Sequence, residues 1–142
     1  MGKKILLVDD SMLVRSGLES MFRASPNWDE IVTAENGQEA IDKVLAEKPD
    51  AVCMDVEMPV KDGISALKEM VILKKQGIVD SKMPIIILSG TLYQNEEQAR
   101  KIRLYGATDI MAKPDGKSAT LMINFRELEN KLLSALNPAE GP

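Results

Sequence analysis

Short unbroken apolar runs alternate along this chain with longer segments in which apolar residues recur every three or four positions. The runs at 4–8, 31–34, 51–54 and 85–88 have strand length, and a weaker one spans 108–112, where Asp109 interrupts the pattern. Between them the spacing predicts helices. Val14, Leu18, Met21 and Phe22 follow Ser11, a candidate N-cap; Ala40, Ile41, Val44 and Leu45 follow Asn36, with Glu39 three residues on. Ile64, Leu67, Met70 and Val71 mark a third helix. Ala99, Ile102 and Tyr105 mark a fourth over 95–105, with Gly106 as its C′ residue. Phe125, Leu128, Leu132, Leu133 and Leu136 mark the last. Ser25-Pro26-Asn27 and Lys48-Pro49-Asp50 read as turns, 76–83 as a long link and 115–120 as a polar loop.

Strand then helix, five times over, predicts an α/β domain with helices on both faces of a parallel sheet. Right-handed crossovers leave few topologies. The expected one is a doubly wound, flavodoxin-like (βα)5 fold with strand order 2-1-3-4-5. It occupies residues 1–136 and leaves 137–142 as a tail or linker stub.

Composition narrows the function. The 142 residues carry a net charge of −4, which argues against direct nucleic-acid binding. No apolar stretch is long enough to span a membrane, so a cytoplasmic protein is the default expectation. Cys53 is the single cysteine and sits inside an apolar run, the setting of a buried, inert thiol. The chain has no histidine, which excludes a Ser-His-Asp triad, a histidine metal ligand and a phosphohistidine formed on this chain.

Four polar features then stand out, because the expected fold brings them together. Asp9 and Asp10 follow strand one, Asp55 follows strand three, Ser89 follows strand four and Lys113 follows strand five. In the order 2-1-3-4-5, strands one and three flank the topological switch point, where ligands bind beyond the carboxyl ends of the strands. Lys113 starts two strand spacings, roughly 10 Å, from Asp55 and can reach inward on its stem. Two carboxylates ~4 Å apart repel by about 4 kcal/mol at an effective dielectric of ~20. A divalent cation reverses that repulsion, and Mg2+ prefers such oxygen ligands. A nucleophilic carboxylate, a metal, a hydroxyl and an ammonium are the parts of a phosphoryl-transfer site. Each residue alone has an ordinary reading: an N-cap, a loop carboxylate, a turn serine, a solvated lysine. Their conjunction at one end of successive strands favours the functional one.

With these residues in view the chain resembles the receiver domains of two-component response regulators. The resemblance rests on Asp9-Asp10-Ser11, Asp55-Val56-Glu57-Met58-Pro59 with Asp62-Gly63, Leu88-Ser89-Gly90 and Lys113-Pro114. It implies that Asp55 is the phosphoacceptor, taking its phosphoryl group from phosphohistidine on a sensor histidine kinase. It implies Mg2+ held by Asp10 directly, by Asp9 largely through water, by Asp55 and by the Glu57 backbone carbonyl. Ser89 matches the switch hydroxyl and Lys113 the phosphate-binding lysine. Such a module is a switch rather than an enzyme: phosphorylation shifts the face formed by the fourth helix, fifth strand and fifth helix and so controls an output domain or partner, or drives dimerisation. Ile102, Leu104, Tyr105 and Ile110 are candidates for facing that partner, with core packing as the alternative for each.

Two departures are expected to matter. Ile110 stands where the family often has an aromatic switch residue. Glu57 and Thr91 occupy the variable positions beside the site, and their chemistry predicts slow self-dephosphorylation. The 106–109 stretch and the polar 115–120 loop further resemble receivers of chemotaxis methylesterases, so that the chain is either an N-terminal part of such an enzyme or a stand-alone receiver. Three other readings compete. An aspartyl-phosphate hydrolase of the haloacid dehalogenase type needs Asp-x-Asp after strand one, which Asp9-Asp10-Ser11 fails. A degenerate, scaffold-only receiver conflicts with the complete residue set. A flavodoxin-like cofactor binder lacks a Ser/Thr/Gly-rich loop after strand one.

Overall fold

A computed structural model describes residues 2–56, 58, 60–90, 95–113 and 118–137, the side chains of 118–123 excepted. The elements follow in strict alternation: β1 (Lys4–Val8), α1 (Met12–Ala24), β2 (Glu30–Ala34), α2 (Gly37–Glu47), β3 (Ala51–Asp55), α3 (Gly63–Lys75), β4 (Ile85–Ser89), α4 (Glu96–Tyr105), β5 (Asp109–Ala112) and α5 (Ser118–Leu136). All strand pairs are parallel and the order is β2-β1-β3-β4-β5, as the sequence predicts.

The apolar runs are unbroken because both faces of the sheet are covered. Successive side chains point to opposite faces. Leu6, Val8, Val52, Met54, Ile85 and Ile87 pack with Val44, Leu67, Met70 and Ile102 of α2, α3 and α4. Ile5, Leu7, Cys53, Ile86 and Leu88 pack with Leu18 and Phe22 of α1 and Leu128 and Leu132 of α5. Cys53 is 1% exposed and burial pushes its thiol pKa far up, in keeping with an inert thiol. On the α1–α5 side, Phe22 meets the rings of Trp28 and Phe125 edge-on at 5.3 and 4.9 Å. The Trp28 indole donates to Glu129 Oε2 at 2.9 Å, tying the α1–β2 turn to α5.

Helix starts follow one rule. Ser11, Asn36, Asp62 and Asn95 each accept a hydrogen bond from the backbone N–H three residues on, which satisfies a donor that the first turn leaves open.

The differences from expectation are local. β3 and β4 extend one residue further, so Asp55 and Ser89 are the last residues of their strands. Leu45, expected in the buried stripe of α2, is 41% exposed. Tyr105 also leaves the core, with the Lys68 ammonium 4.3 Å above its ring. Helix α5 begins at Ser118, inside the expected polar loop. Asp109 is compatible with a strand because Arg103 Nη2 and Lys131 Nζ reach its two carboxylate oxygens at 2.8 and 2.6 Å.

Candidate functional site

Asp9 follows β1 directly, Asp55 ends β3, Ser89 ends β4 and Lys113 follows β5. The parallel ladder therefore sets all four at one edge of the sheet. Asp9, Asp55 and Ser89 are 1%, 2% and 2% exposed, the only polar residues so deeply buried among those described. Asp10 lies beside them on the surface, and one carboxylate oxygen from each of Asp9, Asp10 and Asp55 falls within 4.8 Å of the others. Lys113 bridges the buried pair: its Nζ lies 3.2 Å from Asp55 Oδ2 and 3.3 Å from Asp9 Oδ2. Its backbone N–H donates to Ser89 O at 2.8 Å, which fixes the root of the lysine against the end of β4.

One ammonium thus pairs with two buried carboxylates, with a third on the surface beside them. Burial, helped by the Asp10 charge, raises the Asp9 pKa despite the Ser11 N–H and Lys113. Burial pulls the Lys113 pKa down, but the carboxylates of Asp9 and Asp55 outweigh it and the net shift is upward. Asp9 Oδ1 accepts from Ser11 N at 2.8 Å. Asp9 Oδ2 is buried without a well-aligned hydrogen bond, its nearest cation being the Lys113 ammonium at 3.3 Å. A buried acceptor left open beside two further carboxylates fits a hard divalent cation, since all the donors are oxygen. Asp9, Asp10 and Asp55 would hold it. The Glu57 carbonyl, expected as a further ligand, and Thr91 lie outside the described residues.

Two further residues, Gly63 and Arg15, shape this edge. Gly63 opens α3 with its N–H on Val56 O at 2.8 Å, and a Cβ there would sit 2.1 Å from Asp55 O. Only glycine lets α3 begin this close to the end of β3; the Asp62-Gly63 pair was visible, its contact was not. Arg15 of α1 donates from Nη1 to the Asp9 carbonyl at 2.7 Å. An arginine on an amphipathic helix gives no sequence signal that separates this role from a solvated one.

Ile110 and Ile102, candidates for a partner-facing role, are core residues at 7% and 0% exposure, packed in the same cluster. Leu104, at 77%, and Tyr105 remain on the surface.

The model of the response regulator receiver domain matches residues 5–123. The chain belongs to that family. This receiver is 38% identical over 136 residues to protein-glutamate methylesterase/protein-glutamine glutaminase 1 of Syntrophomonas wolfei, a match that covers 95% of this chain and 37% of the relative. The receiver therefore spans little more than a third of that methylesterase's length. Among solved structures it superimposes on the response regulator domain of Thermotoga maritima CheB with a TM-score of 0.81 and 30% identity, covering 96% of this chain and 98% of that one. It also superimposes on a receiver co-crystallised with a Saccharomyces cerevisiae histidine phosphotransfer protein (TM-score 0.76, 26% identity, 94% and 88% covered). The resemblance to methylesterase receivers noted in the sequence agrees with these similarities.

Proposed function

We propose that this receiver accepts a phosphoryl group on Asp55 from phosphohistidine on a sensor histidine kinase or a histidine phosphotransfer protein. The observation that carries the reading is the buried Asp9–Asp55 pair bridged by Lys113, with Asp10 within ligand distance of both. In the transfer an Asp55 oxygen attacks phosphorus, an O–P bond forms, the N–P bond breaks and the imidazole leaves. Lys113 then moves its charge from carboxylate to phosphoryl oxygens, and the Ser89 hydroxyl donates to the phosphoryl group. Mg2+, held by Asp9, Asp10, Asp55 and the Glu57 carbonyl, would offset the charge that gathers on the phosphoryl oxygens. The histidine phosphotransfer complex of the yeast neighbour supports a donor of this class.

The module spans residues 1–136 and is a phosphoacceptor switch, with only slow self-phosphotransfer and self-dephosphorylation. Its readout is the face of α4, β5 and α5. The methylesterase relatives make a methylesterase domain joined after 137–142 the output favoured for a longer chain. None of the described helices is long and apolar enough to cross a membrane, which agrees with a cytoplasmic setting.

Incubation with Mg2+ and acetyl phosphate, read by intact mass, tests this. The wild type is expected to gain one alkali-labile phosphoryl group and Asp55→Asn none. An unchanged wild-type mass, or equal labelling of Asp55→Asn, would overturn the assignment. A phosphoryl lifetime of only seconds would contradict the slow hydrolysis expected from Glu57 and Thr91.

A further inference from the structure

The Asp9-Asp10 turn is held at two points. The Asp9 carboxylate accepts from Ser11 N at 2.8 Å, and the Asp9 carbonyl accepts from Arg15 Nη1 at 2.7 Å. The second contact is unusual in three ways. Arg15 is the fourth residue of α1, whose first turn contains no acidic residue. A cation near a helix N-terminus works against the helix dipole, so local helix stability does not favour it there. Its side chain is nonetheless only 14% exposed, and Nη2 is anchored by Glu35 Oε1 at 3.4 Å, just beyond β2. The guanidinium therefore joins α1, the end of β1 and the end of β2.

The carbonyl that Arg15 holds belongs to the peptide bond between Asp9 and Asp10. That bond is planar, so fixing its oxygen fixes the direction in which the chain enters Asp10. We propose that Arg15 is a positioning residue for the carboxylate cluster, orienting the Asp9–Asp10 peptide so that Asp10 meets Asp9 and Asp55 at ligand distance. This inference rests on the metal-binding reading of that cluster. It adds a residue that touches neither metal nor phosphoryl group.

The sign of one measurement separates positioning from simple electrostatics. A guanidinium beside a divalent-cation site repels the cation. If charge were its only influence, removing it would tighten Mg2+ binding. If it positions Asp10, removing it weakens binding. Calorimetric titration with MgCl2 reads this directly, without phosphorylation. Arg15→Met keeps an apolar stem for packing but has no donor, and its Mg2+ affinity is expected to fall roughly tenfold, as for the loss of partners that orient ligands. Arg15→Ala is expected to fall at least as far. Arg15→Lys retains a donor able to reach the Asp9 carbonyl and is expected to stay within about threefold of wild type, the rescue that a positioning role requires. Thermal unfolding without metal checks that each variant is folded. Unchanged or tighter binding in Arg15→Met, or Arg15→Lys as weak as Arg15→Met, would overturn the inference and leave the Asp55 assignment standing. A wild type that binds no Mg2+, with Asp10→Ala indistinguishable from it, would overturn the metal site and this inference together.

Discussion

Val60 has φ +67° although its side chain is β-branched, and it is 84% exposed. A β-branched residue in the left-handed region is strained, and here no burial compensates. Val60→Asn, which tolerates that region, is expected to stabilise the protein by about 1 kcal/mol in urea unfolding. No gain would mean that the loop relaxes at no cost. Asp9 presents the opposite conflict, between stability and function. Its carboxyl pKa is raised by burial, so ionisation at neutral pH costs folding free energy that is recovered as pH falls through the folded pKa. Asp9→Asn is therefore expected to be more stable than wild type without metal, by about 1 kcal/mol, and to bind Mg2+ more weakly. A destabilised Asp9→Asn would indicate that the Lys113 ion pair outweighs the burial cost.

At the scale of elements, Asp109 joins three: it sits on β5 and takes hydrogen bonds from Arg103 of α4 and Lys131 of α5. Burial works against its charge, but these bonds and the Ile110 N–H win, and its pKa is lowered. A depressed carboxyl pKa contributes stability that is full above the unfolded value near 3.8 and is lost as pH falls through the folded value. Asp109→Asn should then lose on the order of 1 kcal/mol at pH 7, the partial exposure of all three partners limiting the effect. The variant and wild type should converge below the folded pKa; a constant gap across the acid range would contradict the linkage. The helix and strand types were legible because periodicity reports burial, and burial follows from a two-faced sheet. The start of α5 was not, because Asp115, Lys117, Ser118 and Thr120 carry a polar loop signal that runs into the first helical turn. The exposure of Leu45 and Tyr105 was not either, because helical spacing does not mark where a stripe ends. The carboxyl-end residues Asp9, Asp10, Asp55, Ser89 and Lys113 were legible because strand ends are readable and the topology orders them. Arg15 and the Gly63 contact depend on three-dimensional approach alone. Gly63→Ala sets a Cβ against Asp55 O, and overpacking of that kind is expected to cost about 2 kcal/mol and to slow phosphoryl uptake. Wild-type stability with wild-type labelling would show that α3 shifts freely.

Across the whole molecule, the proposed Mg2+ site at the acidic edge would couple folding to metal. Binding to the native state alone should raise stability by about 2.7 kcal/mol when free Mg2+ is one hundred times its dissociation constant. The rise should vanish in Asp10→Ala, and a thermal midpoint indifferent to millimolar Mg2+ would argue against a competent site. The single tryptophan makes such experiments easy to read. Trp28 precedes β2, at the far rim of the sheet from Asp10 and Asp55, wedged between Phe22 and Glu129. Its ultraviolet emission is thus a built-in gauge of whether α1 and α5 are still docked, read from the pole opposite the carboxylates.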